Sequence, residues 1–323
     1  MIDYTPPFNI TNKILNLSNE ISEQLGRVDV LRKTHGIILR KENQIRTIHS
    51  SLAIENNSLS LDQVTAILEG KHVAGSEREI REVQNAAKAY ERISQLSPYS
   101  IDDLLLTHKQ LMEGLIPDNG AFRTKGVGVF KGNMHIAPPA DLVPLQIRDL
   151  LDWHKEESLH PLIKSAVFHY EFEFIHPFSD GNGRTGRFWH SVLLGNWKEI
   201  FFHLPVEEQI QSRQQDYHDA LGKSDSTANS TPFIEFMLEV TKDTLLGLPQ
   251  LNEQVLNSPP YKLYRLLENG ELSASQLMEQ LGLSHRPTFR KNYLYPALEQ
   301  GLIEMTIPDK PNSKNQKYRK KRE

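Results

Sequence analysis

His176-Pro177-Phe178-Ser179-Asp180-Gly181-Asn182-Gly183-Arg184-Thr185-Gly186-Arg187 is a glycine-rich turn that opens into a helix. Gly181 and Gly183 permit positive φ and let the backbone come close to a ligand. The first amide protons of the helix that follows lack intrahelical partners, and such an end binds anions, phosphates in particular. Arg184 and Arg187 fall on neighbouring positions of that helix. Two guanidinium groups beside an amide cradle fit a polyphosphate. Asp180 stands at the mouth, where one carboxylate with phosphate oxygens and waters would hold Mg²⁺. His176 precedes the turn, where a neutral imidazole can take a proton from an attacking hydroxyl. The bland alternative is a helix N-cap and a solvated face with a structural histidine. A base, a carboxylate, an amide nest and two arginines so close together go beyond what capping requires.

Outward from this turn the pattern is mostly helical. Ile14, Leu17, Ile21, Leu25 and Val28 recur at helical spacing, and Ile45, Ile48 and Leu52 line a second helix over 40–55 that Asn56-Asn57 stops. Helices are expected over 61–68, 77–96, 101–115, 142–153, 162–174, 183–197, 209–221 and 232–246. Between 121 and 139, GVGVFKG followed by a Pro-Pro pair predicts a β-hairpin. Residues 248–260 read as a linker. Three short helices over 261–268, 273–281 and 286–300, then two strands around a Pro/Asn/Ser/Lys turn, follow the order of a winged helix. The fold expected is therefore mainly α. It has an N-terminal helical region at 1–100, a core at 101–247, the linker and a small C-terminal domain at 261–323.

Composition narrows the chemistry. With 24% charged residues and a net charge of −4, the chain reads as an ordinary soluble protein with no global attraction to nucleic acid or membrane. The absence of cysteine removes disulfides, thiolate metal sites and a cysteine nucleophile, and is compatible with a reducing cytoplasm. No signal-like start and no long apolar run stand against a cytoplasmic location. The remaining histidines form no HExxH pattern, which argues against a zinc enzyme.

The segment 176–187 resembles the Fic motif, HPFx[D/E]GNGRxxR, with every fixed position matched, and the likeness extends over about 50–246. The upstream HYEFEFI, LMEGLIPD and FRT segments and the hairpin share it. The motif is intact in its AMP-transferring form, so Doc-type and phosphocholine-transferring relatives fit less well. The resemblance implies a helical Fic bundle with a β-hairpin flap that moves AMP from ATP to a hydroxyl of a target protein. It implies His176 as general base and Asp180 as the holder of Mg²⁺ or Mn²⁺. Gly181, Asn182 and Gly183 would form the anion hole, Arg184 would steady the leaving phosphates and Arg187 would hold the γ-phosphate. Thr185 and Gly186 would complete the nucleotide-binding turn as packing positions, with Phe178 as its core anchor.

Ser51-Leu52-Ala53-Ile54-Glu55-Asn56 is similar to the family's inhibitory motif, [S/T]xxxE[G/N], placed on an N-terminal helix. Glu55 would then take the place of the γ-phosphate on Arg187, with Ser51 bonding near the anion hole. In some relatives such a glutamate also aligns a water for removing AMP. Lys131, Gly132, Asn133 and Met134 are the expected flap tip, where an extended target segment could pair, against the reading of a plain hairpin. Tyr217 matches the first tyrosine of an adenosine-enclosing segment, with His218 in place of the second; the competing reading is a packing aromatic. The basic tail (Lys310, Lys314, Lys317, Arg319, Lys320, Lys321, Arg322) leaves DNA open as a partner of the winged helix. Self-modification and a homodimer are compatible with the pattern. The alternative function from another class is a DNA-binding regulator whose Fic domain senses nucleotide; such a sensor has no need of His176.

Overall fold

Hydroxyl N-caps and left-handed residues set several of the helix ends. In the computed structural model, which describes residues 4–131, 133–248, 258–299, 302–311 and 313–321, Thr11 opens α1 (Asn12–Ala53) by accepting the Ile14 amide at 3.1 Å. For 27–40, 129–131, 133–136 and 269 only the backbone is described. The two helices expected at 14–28 and 40–55 are one uninterrupted helix. No proline lies between them, and Gly36 costs only about 1 kcal/mol in a helix interior, less than propagation from both sides supplies. The helix stops where Asn56 turns left-handed (φ 68°) and Asn57 donates its amide to Leu52 O at 3.1 Å.

Capping boxes at Ser60/Gln63 and Ser76/Glu79 open α2 (Leu61–Leu68) and α3 (Glu77–Glu91). Ser100 caps α4 (Ile101–Leu111). A hairpin of β1 (Gly128–Lys131) and β2 (Asn133–Ile136) follows, with Val129 opposite His135 and Phe130 opposite Met134. Then come α5 (Val143–Glu156), α6 (Pro161–Ile175), α7 (Asn182–Trp197), α8 (Val206–Ser212), α9 (Gln214–Thr227) and α10 (Thr231–Gly247). The single helix expected at 209–221 is broken at Arg213 (φ −119°, ψ 36°). Its guanidinium is paired with Asp216, Glu239 and Asp243 and lies over the Phe236 ring, tertiary contacts that override helix propensity.

The chain falls into two units, Met1–Arg27 with Glu42–Leu246, and Val28–Lys41 with Gly247–Glu323. In the first, α6 and α7 form the centre, and Phe168, Phe172, Phe188 and Trp189 are wholly buried. A helix apolar on nearly every side belongs in the interior, and α6 is such a helix. The N-terminal segment is tied to this core by Tyr4 Oη donating to Glu171 at 3.0 Å and by Ser230 N donating to Pro7 O at 2.9 Å.

In the second unit, α11 (Pro259–Leu266), β3 (Leu272–Ser273), α12 (Ala274–Gln280) and α13 (Arg286–Phe289) are followed by a π-helical turn at Arg290–Leu294, α14 (Tyr295–Glu299), β4 (Ile303–Met305) and β5 (Lys317–Lys320). The sheet is antiparallel in the order β3-β5-β4 over a core of Leu263, Leu277, Phe289, Leu294, Ile303 and Tyr318. The sequence pattern misses β3, since two residues are too short to show alternation. Gly132, most of the expected linker (249–257) and Arg322 lie outside the described residues. Among the described residues, no helix is long and apolar enough to cross a membrane.

The core holds a buried acid. Glu207 on α8 is 1% exposed and accepts from Tyr90 Oη at 3.3 Å. Burial pushes its carboxyl up to about 7 from an ordinary 4.5, against the pull of its hydrogen bonds and of Arg187. Its protonated form therefore supports folding fully below about pH 4.5, and that support is lost as pH rises through 7. Glu207→Gln should remove this loss. The melting temperature of the variant minus that of wild type should rise by several degrees between pH 5 and 8.5, and a constant difference would refute the assignment.

Candidate active site

The turn begins with an unusual backbone. His176 closes α6 in the left-handed region (φ 51°, ψ 60°), which a side chain with a Cβ adopts only at a cost of about 1–2 kcal/mol. Arg123 holds it there. Its Nε donates to His176 O at 2.7 Å and its Nη2 to Ile175 O at 3.2 Å, and its other bonds also go to carbonyls, Lys125 O and Pro138 O. Arg123 N donates to Pro177 O at 2.9 Å. A cation on the last carbonyls of α6 is also what the helix dipole favours. His176 Nδ1 faces Glu173 O at 3.4 Å. A carbonyl only accepts, so this contact places the proton on Nδ1 and the lone pair on Nε2.

Two further residues lock the turn. Asn182 accepts the Phe178 amide and donates to Phe178 O, both at 2.8 Å. His108 stacks on Phe178 with ring centroids 3.6 Å apart. Gly120 N donates to His108 Nδ1 at 2.9 Å, so Nε2 carries the proton and donates to Asp180 O at 2.9 Å. Burial pulls His108 down to about 4, which keeps it in this neutral tautomer at neutral pH.

The glycines of the motif do different work. Gly181 has φ 84°, and a Cβ there would also meet Met112 Sδ at 2.6 Å. Gly183 does not use the positive φ open to it and is an ordinary helical residue of α7. It is required for close approach, because a Cβ would run into the Glu55 carboxylate and lie 2.9 Å from Arg187 Nη1. Gly186 packs against Phe172, and Thr185 is wholly buried.

The charged groups converge above this turn. Arg187, 2% exposed, donates from Nη2 to Glu55 Oε1 at 2.8 Å and to Ser51 O at 3.0 Å, and its Nε faces Ser51 Oγ at 3.4 Å. Arg184 donates to Glu82 Oε1 at 3.1 Å and to Asp180 Oδ1 at 3.3 Å. The Asp180 side chain remains 45% exposed, with Arg78 Nη2 3.6 Å from Oδ2. Arg184 Nε and Arg187 Nη1 are buried donors that make no hydrogen bond among the described residues. Gln214 Nε2 donates to Ile54 O at 3.0 Å and so fastens the helix end that carries Glu55. Tyr217 is wholly buried behind Arg187, its hydroxyl 3.2 Å from His169 Nε2 and its ring against Phe233 and Phe236. The hairpin places Lys131, Asn133 and Met134 at its tip as backbone positions. A groove of about 690 Å³ lined by Asn9, Lys13, Lys223 and Glu235 includes no residue of the turn.

Thus His176, Asp180, the Gly-Asn-Gly step, both arginines, Ser51 and Glu55 come together in one place. Sequence reasoning missed Glu82, Arg78 and His108, which reach the turn from distant helices, and Asn57 and Gln214, which bond Glu82 and the end of α1. Arg123 lies in the quoted FRT segment, but nothing local announces its four carbonyl partners.

Comparison with known proteins identifies the family. The model of the Fic/DOC family matches residues 98–194, and that of the filamentation induced by cAMP protein Fic-like C-terminal domain matches residues 260–320. A crystal structure of a Fic family protein from Desulfovibrio desulfuricans G20 is 50% identical, covers 99% of this chain and 99% of its own, and has a TM-score of 0.76. The chain belongs to the Fic family. Among curated relatives, protein adenylyltransferase fic-1 of Caenorhabditis elegans is 29% identical over 79% of this chain and 51% of its own length. Protein adenylyltransferase Fic of Drosophila willistoni is 32% identical over 64% of this chain and 42% of its own. The Fic chain described here thus spans about half the length of the curated relatives it matches.

The Arg123 fork gives this Fic protein a specific weak point. Lysine has no planar fork and cannot serve four carbonyls at once, so Arg123→Lys should leave some of them unpaired at about 1–3 kcal/mol each. The melting temperature should fall by several degrees, and amide exchange should speed up at 176–178. An unchanged melting temperature and exchange pattern would show that the fork does not hold the turn.

Proposed function

We propose that this chain transfers AMP from ATP to a hydroxyl side chain of a protein and that the conformation described here is its inhibited one. The observation that carries the reading is the Glu55–Arg187 pair at 2.8 Å, seated directly over Gly183. A carboxylate on the buried arginine, against the amide end of α7, occupies the position where a phosphate would be bound. The buried donors Arg184 Nε and Arg187 Nη1 add capacity for an anion. The relatives named protein adenylyltransferase support the choice of reaction.

On this reading His176 Nε2 takes the proton of the target hydroxyl. The oxygen attacks the α-phosphorus of ATP, the bond from that phosphorus to the bridging oxygen of the β-phosphate breaks, and pyrophosphate leaves. Gly181, Asn182 and Gly183 present the anion hole, Arg184 steadies the leaving phosphates and Arg187 holds the γ-phosphate once Glu55 withdraws. Asp180 fits a divalent ion, because its half-exposed carboxylate leaves room for phosphate oxygens and waters to complete the shell. When bound, Mg²⁺ or Mn²⁺ supplies charge neutralisation between the phosphates. Among the described residues no group of three or more acidic or histidine side chains is placed to hold a metal ion. The hairpin tip (Lys131, Asn133, Met134, with Gly132 outside the described residues) is proposed to pair with the target segment. Tyr217 is proposed to shape the nucleotide site from behind Arg187.

The test is label transfer from ATP carrying its label on the α-phosphorus. Glu55→Gly and Glu55→Gln should raise self-labelling by about tenfold or more, since misplacing reacting atoms by about 1 Å costs on the order of a hundredfold in rate. Adding His176→Ala to either variant, or excess EDTA, should abolish labelling while the nucleotide site stays folded. Equal labelling with and without His176 would refute the base. Equal or lower labelling in both Glu55 variants would refute the inhibitor.

A second reading is favoured by the surface of the second unit, which we read as a winged helix. Arg286 and Arg290 are exposed four residues apart on its third helical segment, with Lys291 exposed beside them. Such a cluster fits the major groove of duplex DNA. Binding of the full chain to a random duplex should weaken steeply with salt. Replacing all three by alanine should remove most of it. No binding at 50 mM salt, or binding indifferent to the triple variant, would dismiss DNA as the partner.

A further inference from the structure

Glu82 on α3 is buried between two parts of the site. Its two carboxylate oxygens point to different partners. Oε1 accepts from Arg184 Nη1 at 3.1 Å, and Oε2 accepts from Asn57 Nδ2 at 2.9 Å. Asn57 belongs to the turn that ends α1, two residues beyond Glu55. It is fixed there on every side: its amide donates to Leu52 O at 3.1 Å, its Oδ1 accepts from Leu59 N at 3.1 Å and its Nδ2 also reaches Glu79 O at 3.3 Å. The turn therefore touches the motif twice, directly through Glu55 on Arg187 and at one remove through Asn57 and Glu82 on Arg184.

Glu82 also has a second cation within reach. Arg78 Nε lies 3.5 Å from the same Oε1, and the Arg78 side chain is 58% exposed. Arg184 is only 5% exposed, so its charge is neutralised in place by Glu82 and Asp180 and its Nε is left unbonded. A phosphate that is to use Arg184 must compete with Glu82, because two anions on one buried guanidinium repel each other.

We propose that Glu82 is a second inhibitory carboxylate, latched onto Arg184 by Asn57. This rests on the reading of Glu55 as inhibitor and extends it. When the turn withdraws, Asn57 leaves Oε2, the Glu82 carboxylate turns outward to Arg78 and solvent, and Arg184 is released together with Arg187. One displacement thus unmasks both arginines. A purely positioning role makes the opposite demand: Glu82 would then hold Arg184 where phosphate needs it, and its loss would weaken binding.

The sign of the change in ATP affinity decides between them. Isothermal titration of the full chain with ATP and Mg²⁺ should show Glu82→Gln binding several-fold tighter than wild type. Gln keeps the shape and a carbonyl for Asn57, and Asp180 still pairs with Arg184. Circular dichroism and thermal melting would verify the fold, since removing a counter-ion from a buried arginine is destabilising. Asn57→Ala should also tighten binding with Glu82 in place, and by less than about twofold in the Glu82→Gln background, the non-additivity expected of a shared mechanism. Unchanged or weaker binding in Glu82→Gln, or equal effects of Asn57→Ala in both backgrounds, would overturn the proposal. Binding rather than transfer is read, so a chain that bound ATP without transferring AMP would still decide the latch.

Discussion

A guanidinium that is almost wholly buried must face an anion, and Arg187 sets that demand at the centre of this molecule. Leaving a buried charge unpaired costs several kcal/mol. Much of the surrounding structure answers to it. Glu55 is brought over from a helix that starts near the N-terminus, and Gly183 has no Cβ so that the pair can lie against the backbone. Glu173 and Glu207 stand close enough to act on the same charge, and Tyr217 closes the back of the pocket. A surface arginine would have imposed none of these conditions.

The turn that presents Arg187 is held by groups that bond its backbone carbonyls and amides. Arg123 spends its donors on carbonyls, Asn182 closes a ring with Phe178, and His108 bridges Gly120 and Asp180 O in a single tautomer. This division has a physical logic. On the proposed reading, the charged side chains of Asp180, Arg184 and Arg187 exchange partners when a phosphate arrives. Were the backbone of the turn fastened by the same side chains, each exchange would loosen it. Here the frame and the exchangeable charges are largely different residues, although Asp180 Oδ1 also accepts the Gly181 amide at 2.6 Å.

The site was legible where its residues are close in sequence. The twelve residues from His176 to Arg187 contain the turn, the proposed base, the acid and both arginines, and Ser51 with Glu55 is a second local pattern. Glu82 and Asn57 were not legible, because their roles exist only after α3 packs beside the end of α1, and a lone glutamate on an amphipathic helix looks like a solvated residue. The same holds for the fold. Helix stripes and Asn56-Asn57 were read directly, whereas the continuity of α1 depended on the absence of a strong breaker, and the interruption at Arg213 depended on acids from α10. Periodicity reports which face of a segment is buried. It does not report which distant segment will bury it.

On the inhibited reading, the strength of inhibition belongs to the end of α1 more than to Glu55 itself. An intramolecular ligand competes at an effective concentration set by how firmly its tether is held, millimolar for a loose tether and higher for an ordered one. Here the tether is ordered by the left-handed Asn56, by Gln214 on Ile54 O and by Asn57 on Glu82. None of these touches the position of the γ-phosphate. Each sets how often the carboxylate is away from Arg187, and a ligand shifts such an equilibrium only by its differential affinity for the two states. A partner that gripped this turn, and had no contact with nucleotide at all, would therefore change the apparent affinity for ATP by the factor through which it shifted the turn. The buried arginine creates the demand for an anion, and the turn decides which anion answers it.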